Sequence, residues 1–363
     1  MEEYVRVGRD GQGWRVDKIR LAVIPGDGVG PEVLAEALPL LDWARSRGRG
    51  LTWERLPHGA DHCLATGETL SEETFQRLRD AFDGILLGAV GDPRIPDGRH
   101  AEAILLRLRR DLHLSVNWRP CTPFRPEHSP LKGRSPEDQR LEVFRENTEG
   151  PYCLQGLREA GRAVDWSVHT EAAVDRLLEA AFRRAEALGR PLTLAHKANV
   201  LKFGHGLWMA RFQLMRDRFP SVEAGAMHAD ALLCALVQDP TPFGVIAADN
   251  YLGDLISDLT AAFMGGMGMA PSLSHAPHRP FRCTALAEPV HGSAPDLAGR
   301  GLANPVGAIL SLGLLFGHLG WEEEAEAIRE AVAEALGEGA ATADLGGRLG
   351  TREMGEAVRK RLP

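Results

Sequence analysis

The sequence predicts an α/β protein whose strands run parallel beneath covering helices. Two features carry this: short apolar runs that end in glycine turns, and helical spacing that resumes directly after them. Ile19–Ile24 is such a run, stopping at Pro25-Gly-Asp-Gly-Val-Gly-Pro31, after which Val33, Leu34, Ala37 and Leu41 recur at helical intervals. A helix near Ser71–Asp80, a buried strand at Gly84–Gly88 and a helix near Ala101–Asp111 repeat the pattern.

The texture then changes. Prolines at 120, 123, 126, 130, 136 and 151 surround the extended run Leu141–Arg145, which predicts loops and hairpins from Asn117 to about Gly161. An amphipathic helix at Glu171–Leu188 leads to a buried strand, Pro191–His196, and to helices near Gly206–Arg218 and Ala229–Val237. The strand Phe243–Ala248 delivers Asp249-Asn-Tyr-Leu-Gly-Asp-Leu-Ile-Ser-Asp258. After Gly265–Gly268 comes a loop-rich stretch containing Glu288-Pro-Val-His-Gly-Ser-Ala-Pro-Asp296, then an apolar helix from Pro305 to about Gly320 and helices near Glu322–Leu336 and Thr351–Arg361.

With 363 residues, 44% hydrophobic and 25% charged, the chain can form two domains or one large α/β unit. A net charge of −8 without any Lys/Arg block argues against nucleic acid and membrane surfaces, so an anionic substrate needs a local positive cluster. Five dispersed cysteines without a CxxC pair predict free thiols in a reducing compartment, the cytoplasm. Residues 1–18 lack an apolar core, and we read them as a short mobile extension rather than a signal peptide or anchor.

Asp254 and Asp258 stand four residues apart, so a helix brings their Cβ atoms to about 5–6 Å on one side. That is half a site for a hard divalent cation, Mg²⁺ or Mn²⁺. The competing reading, one helix cap and one solvent-facing carboxylate, is preferred for the pair taken alone. The loop Gly26-x-Gly28-x-Gly30-Pro31 lacks the glycine spacing of a dinucleotide fingerprint, and a tight strand-to-helix turn with Pro31 opening the helix explains it at least as well as ligand contact.

Six segments in unbroken order over residues 19–360 change these weights. Ile24-Pro-Gly-Asp-Gly-Val-Gly-Pro-Glu32, Leu108-Arg-Arg110 with Asn117-Trp-Arg-Pro120, Phe144-Arg-Glu-Asn-Thr-Glu-Gly-Pro-Tyr152, His196-Lys-Ala-Asn-Val200, Asp249–Asp258 and Glu288–Asp296 together resemble the metal-dependent β-decarboxylating dehydrogenases, the isocitrate/isopropylmalate dehydrogenase family. The resemblance implies two open α/β domains sharing a large mixed sheet, with a cleft active site completed in a homodimer. It assigns residues 19–114 and 266–363 to a cofactor-binding domain and 115–265 to a substrate and dimerisation domain.

It also implies site roles. Arg109, Arg119 and Arg145 would hold the carboxylates of a 2-hydroxy dicarboxylic acid, a task suited to the guanidinium fork, although a lone arginine is more simply a surface ion pair. Lys197, contributed across the dimer, would be the base on the C2 hydroxyl, which requires a lowered pKa. Tyr152 would protonate C3 of the enol; otherwise it is a packed tyrosine. Asp254 and Asp258, with Asp230 from the partner, would bind Mg²⁺ or Mn²⁺. His291, Gly292, Ser293, Ala294, Asp296 and Asn304 would receive NAD, since a carboxylate at 296 accepts ribose hydroxyls and repels a 2′-phosphate.

Glu102, Leu105 and Leu106 have i, i+3, i+4 spacing, which usually marks a core-facing stripe. In isopropylmalate dehydrogenases a glutamate and two leucines at matching positions line the alkyl pocket, so 3-isopropylmalate leads, followed by tartrate, D-malate, homoisocitrate and other 3-alkyl- or arylmalates. Trp118, Tyr251-Leu252 and Gly244 depart from the common pattern. Two alternatives of other classes stay open: a non-catalytic regulatory subunit, disfavoured because lysine, tyrosine and aspartates are all present, and a metal-dependent enzyme acting on phosphorylated substrates, which would keep the aspartates but has no need of the adenosine loop.

Overall fold

The structure, a computed structural model, describes residues 18–363; the extension expected at 1–18 lies outside the described residues except for Lys18, which opens the first strand. The strands are β1 (Lys18–Ile24), β2 (Gly50–Arg55), β3 (Gly84–Leu87), β4 (Val116–Cys121), β5 (Leu141–Glu146), β6 (Gly156–Glu159), β7 (Arg162–Asp165), β8 (Leu192–His196), β9 (Ala224–His228), β10 (Val245–Ala248), β11 (Pro271–His275) and β12 (Ala285–Pro289). The helices are α1 (Gly30–Ser46), α2 (Ala60–Thr66), α3 (Glu72–Ala81), α4 (Arg99–Ala101), α5 (Arg107–Asp111), α6 (Glu171–Leu188), α7 (Gly204–Arg218), α8 (Ala229–Gln238), α9 (Asn250–Phe263), α10 (Val306–His318), α11 (Glu322–Gly337) and α12 (Thr351–Arg359).

Two compact units share the chain. One takes residues 18–112 together with Gly265–Leu273 and Arg279–Pro363; the other takes His113–Met264 and Ser274–His278. In the first, strands lie in the order β2-β1-β3-β12, all parallel. Helix α10 is apolar nearly all round and buried from Val306 to Gly313, as a helix enclosed on every side must be.

In the second unit the order is β4-β5-β10-β8-β9, with β4 antiparallel to β5 and the others parallel. Thr170 caps α6 through the Ala173 amide, and Gly189 ends it in a left-handed conformation. Val174, Leu177, Leu178, Ala181, Phe182 and Ala185 of α6 are buried with Leu192, Leu194, Val245 and Ala247 of the sheet. Each fully buried leucine there contributes about 2 kcal/mol. The hairpin β6–β7 occupies the proline-rich stretch where hairpins were expected.

The stretch after Gly268, expected to be loop-rich, instead supplies β11 and β12. β11 does not look like a core strand because Ser272 and Ser274 occupy buried positions. Their polar groups are satisfied: the Ser311 hydroxyl accepts from Ser272 N, and Asn117 and Asn147 donate to Ser274 Oγ at 3.0 and 3.1 Å. Among the described residues no helix is long and apolar enough to cross a membrane.

Candidate active site

In the first unit the glycine turn is a packing device. Gly28 has φ +56°, and a Cβ there would lie 1.9 Å from the Ser293 carbonyl oxygen, which also accepts the Val29 amide at 2.8 Å. Pro31 sits in the first turn of α1. The turn therefore supports the loop containing His291, Gly292, Ser293 and Ala294. His291 Nδ1 donates to the Gly292 carbonyl at 2.9 Å, so Nε2 is left as an acceptor; it is buried and has no hydrogen-bond partner among the described residues. Burial holds the imidazole pKa below its ordinary value. Asp296 is exposed in a 3₁₀ turn, whereas Asn304 is buried and engaged: its Oδ1 accepts from Val306 N and its Nδ2 donates to Asp344.

Arg109 is buried, and its Nη2 donates to Glu288 Oε1 at 2.6 Å, a pair that tethers α5 to β12. The single helical face expected for Glu102, Leu105 and Leu106 is corrected: Glu102–Leu106 is π-helical, so the i→i+5 ladder changes the angular spacing. Ile104 and Leu108 take the core positions, while Leu105 and Leu106 are half-buried and Glu102 is exposed. The core-stripe alternative for the two leucines does not hold.

In the second unit strand register explains which side chains meet. Asn117 pairs with Arg145 across β4 and β5, and Arg119 follows Asn117 by two residues, so all three project from one face. Helix α9 covers that face. Asp249 caps it by accepting from Leu252 N at 2.8 Å. Arg145 Nε donates to Asn250 Oδ1 at 2.9 Å and its Nη1 to Asp254, while its guanidinium lies 4.8 Å from the Tyr152 ring centroid. Gly253 makes this possible, because a Cβ there would stand 2.7 Å from Arg145 Cγ.

Arg119 Nε donates to Asn117 Oδ1 at 2.8 Å, and its Nη1 reaches Ser257 Oγ at 2.8 Å, Asp254 Oδ1 at 3.3 Å and Asp258 Oδ1 at 3.4 Å. Tyr152 donates its hydroxyl to Asp254 Oδ2 at 2.6 Å. Burial and the Asp254 charge push the Asp258 carboxyl above its ordinary pKa; burial and the bond to Asp254 do the same to the Tyr152 phenol. Two carboxylates one turn apart on the same side of α9, Asp254 and Asp258, fit a hard divalent cation.

The structure thus brings Arg119, Arg145, Tyr152, Asp254 and Asp258 together. Lys197 and Asp230 form a separate pair, Nζ to Oδ1 at 2.6 Å, and that bond lowers the Asp230 pKa. Among the described residues the one trio of potential metal ligands within 4.8 Å is His169, His205 and Asp249, so Asp230 does not join Asp254 and Asp258 within one chain. Asn117, Asn250, Gly253, Ser257 and Glu288 stood inside the quoted motifs without a role and are what orients the arginines. His205 had no sequence signal.

Two departures from the pattern have structural explanations. Trp118 points away from Arg119: its Nε1 donates to Glu142 at 2.8 Å and the Arg184 guanidinium lies 5.1 Å from its ring centroid. At Gly244 a Cβ would meet Arg190 Cβ at 2.7 Å and the Pro191 carbonyl at 2.8 Å, leaving no room for an aspartate in this backbone. Tyr251 is exposed and Leu252 half-buried at the start of α9.

Comparison with known proteins extends this geometry. A family model described as isocitrate/isopropylmalate dehydrogenase matches residues 20–358. A 3-isopropylmalate dehydrogenase of Thermobifida fusca is 42% identical over 354 residues, covering 95% of this chain and 98% of that protein. The 3-isopropylmalate dehydrogenase of Streptomyces coelicolor is 42% identical, with 95% and 98% covered. Among solved structures, isocitrate dehydrogenase from Methylococcus capsulatus superposes with a TM-score of 0.85 at 29% identity, covering 95% of this chain and 99% of that one.

Proposed function

The chain belongs to the isocitrate/isopropylmalate dehydrogenase family, and from that premise we propose that it oxidises and decarboxylates 3-isopropylmalate to 2-oxoisocaproate with NAD and Mg²⁺ or Mn²⁺. It is an oxidoreductase of the β-decarboxylating type that acts in leucine biosynthesis. The observation that carries the site assignment is the convergence of Arg119, Arg145, Tyr152, Asp254 and Asp258 on one face of α9.

Arg109, Arg119 and Arg145 hold the two substrate carboxylates; each is already fixed by neighbours, so little side-chain entropy is lost on binding. Lys197 Nζ takes the proton from the C2 hydroxyl as hydride leaves C2, and CO₂ then departs from C3. Tyr152, kept protonated by burial and by Asp254, returns a proton to C3 of the resulting enol. Asp254, Asp258 and Asp230 of the partner subunit would hold the divalent cation, which would supply Lewis-acid polarisation, and NAD would supply the hydride acceptor. The His291–Asp296 loop and Asn304 receive the dinucleotide: the buried His291 Nε2 is an acceptor suited to an exocyclic amine, and exposed Asp296 suits ribose hydroxyls. Glu102, Leu105 and Leu106 line the alkyl pocket, which the exclusion of both leucines from the core supports.

A homodimer with shared sites accounts for Asp230 and Lys197 standing apart from Asp254. Exposed apolar side chains support it: Val200, Leu201 and Phe203 follow Lys197, Val237 lies on α8, and Tyr251 and Leu255 lie one turn apart on α9. Five unbridged cysteines support a cytoplasmic location.

The test is NADH formation with Mg²⁺ or Mn²⁺ across 3-isopropylmalate, D-malate, tartrate, isocitrate, homoisocitrate and arylmalates, with CO₂ measured in parallel. The highest kcat/KM is expected for 3-isopropylmalate. Preference for NADP would overturn the role of Asp296, and oxidation without matching CO₂ would overturn the decarboxylation.

A further inference from the structure

His205 opens α7 and is almost wholly buried, eight residues after Lys197. The Lys197 backbone amide donates to its Nδ1 at 2.8 Å. A nitrogen that accepts a hydrogen bond carries no proton, so the proton of the neutral ring is on Nε2, which faces Asp249 Oδ2 at 3.2 Å. The other oxygen of the same carboxylate caps α9 through Leu252 N. A single buried aspartate therefore fixes the tautomer of His205 with one oxygen and the start of the helix bearing Asp254 and Asp258 with the other.

The neighbouring His169 completes a trio of potential metal ligands, since ligand atoms of His169, His205 and Asp249 fall within 4.8 Å of one another. Hydrogen bonding excludes it. Trp208 Nε1 donates to His169 Nδ1 at 3.1 Å, leaving the proton on Nε2, which faces Ser167 Oγ at 2.9 Å. Both Nε2 atoms are thus protonated, and neither offers a lone pair to a cation.

We infer that His205 is a positioning residue for the reaction: by accepting the Lys197 amide at Nδ1 it sets the backbone just after β8 and thereby the origin of the Lys197 side chain. The inference rests on the proposed role of Lys197 as base. It assigns the function to the Nδ1 acceptor rather than to bulk or to the Nε2–H donor, and two variants separate these. In H205N the amide oxygen occupies the Nδ1 position; in H205Q the side-chain amide reaches the Nε2 position and the acceptor near Lys197 N is lost.

With kcat and KM measured for the metal-loaded dimer on its best substrate, H205N is expected to lose no more than about threefold in kcat and H205Q tenfold or more, both with little change in KM. Amide exchange at Lys197 is read in the same proteins: slow in wild type and H205N, fast in H205Q. Equal losses of kcat in the two variants, a larger loss in H205N, or unchanged kcat in H205Q would overturn the inference. Exchange at Lys197 that does not follow the acceptor would overturn it even if no 3-substituted malate is oxidised, an outcome that separately removes the assignment of Lys197 as base.

Discussion

A single carboxylate, Asp254, meets Arg119, Arg145 and the Tyr152 hydroxyl. Removing its charge while keeping its shape leaves Arg119 on Asn117, Ser257 and Asp258, and Arg145 on Asn250, so both arginines keep other anchors. We expect D254N to keep its far-UV circular dichroism and lose about 100-fold or more in kcat, measured as NADH formation at saturating divalent cation. At this scale the sequence was legible where residues form motifs: the spacing of Asp254 and Asp258 alone left a helix cap as the simpler reading, and it was the company of five other segments that singled them out. It was illegible where an ordinary asparagine or histidine works through a neighbour. Asn117 and Asn250 orient arginines, and His205 acts on a backbone amide; neither job leaves a pattern in residue type.

Helix α9 carries the proposed metal ligands Asp254 and Asp258, and Gly253 is its weak point. The helix can lie on β5 only because Arg145 passes where a methyl group would be. G253A gains helix propensity of about 1 kcal/mol, but it forces Arg145 off Asn250 and Asp254. We expect KM to rise about tenfold or more, with the melting temperature falling rather than rising, checked by kinetics and calorimetry on the same sample. Elements with helical or apolar periodicity, such as α6 and α10, could be placed from sequence to within a residue or two. β11 could not, because its buried positions carry serines whose partners come from distant segments. The π-helical turn at Glu102–Leu106 escaped for a related reason: nothing in its residues distinguishes it from the α-helical spacing they also satisfy.

At the scale of the whole molecule, the proposed dimer makes each site a composite of two chains. K197A and D254N should each be inactive alone. Unfolded together and refolded, half of the dimers are mixed, and each mixed dimer contains one site with a native lysine from one chain and native Asp254 from the other; about a quarter of wild-type activity should return. Absence of recovery, with mixed dimers verified by mass, would place Lys197 and Asp254 in the same chain's site. Fold class could be read from the alternation of strands and helices, whereas the proposed sharing of sites between chains follows only from family resemblance, because composition carries no record of which subunit a side chain serves.

The contact between Gly28 and Ser293 has a consequence for how this protein can change over time. Two segments at opposite ends of the chain touch backbone to backbone, with the Ser293 carbonyl filling the place a side chain would need at 28. Neither can be redesigned alone: any mutation that enlarges position 28 is at once a mutation of the loop proposed to receive the dinucleotide, and a swap of that loop for one proposed to select another nucleotide must bring its matching turn with it.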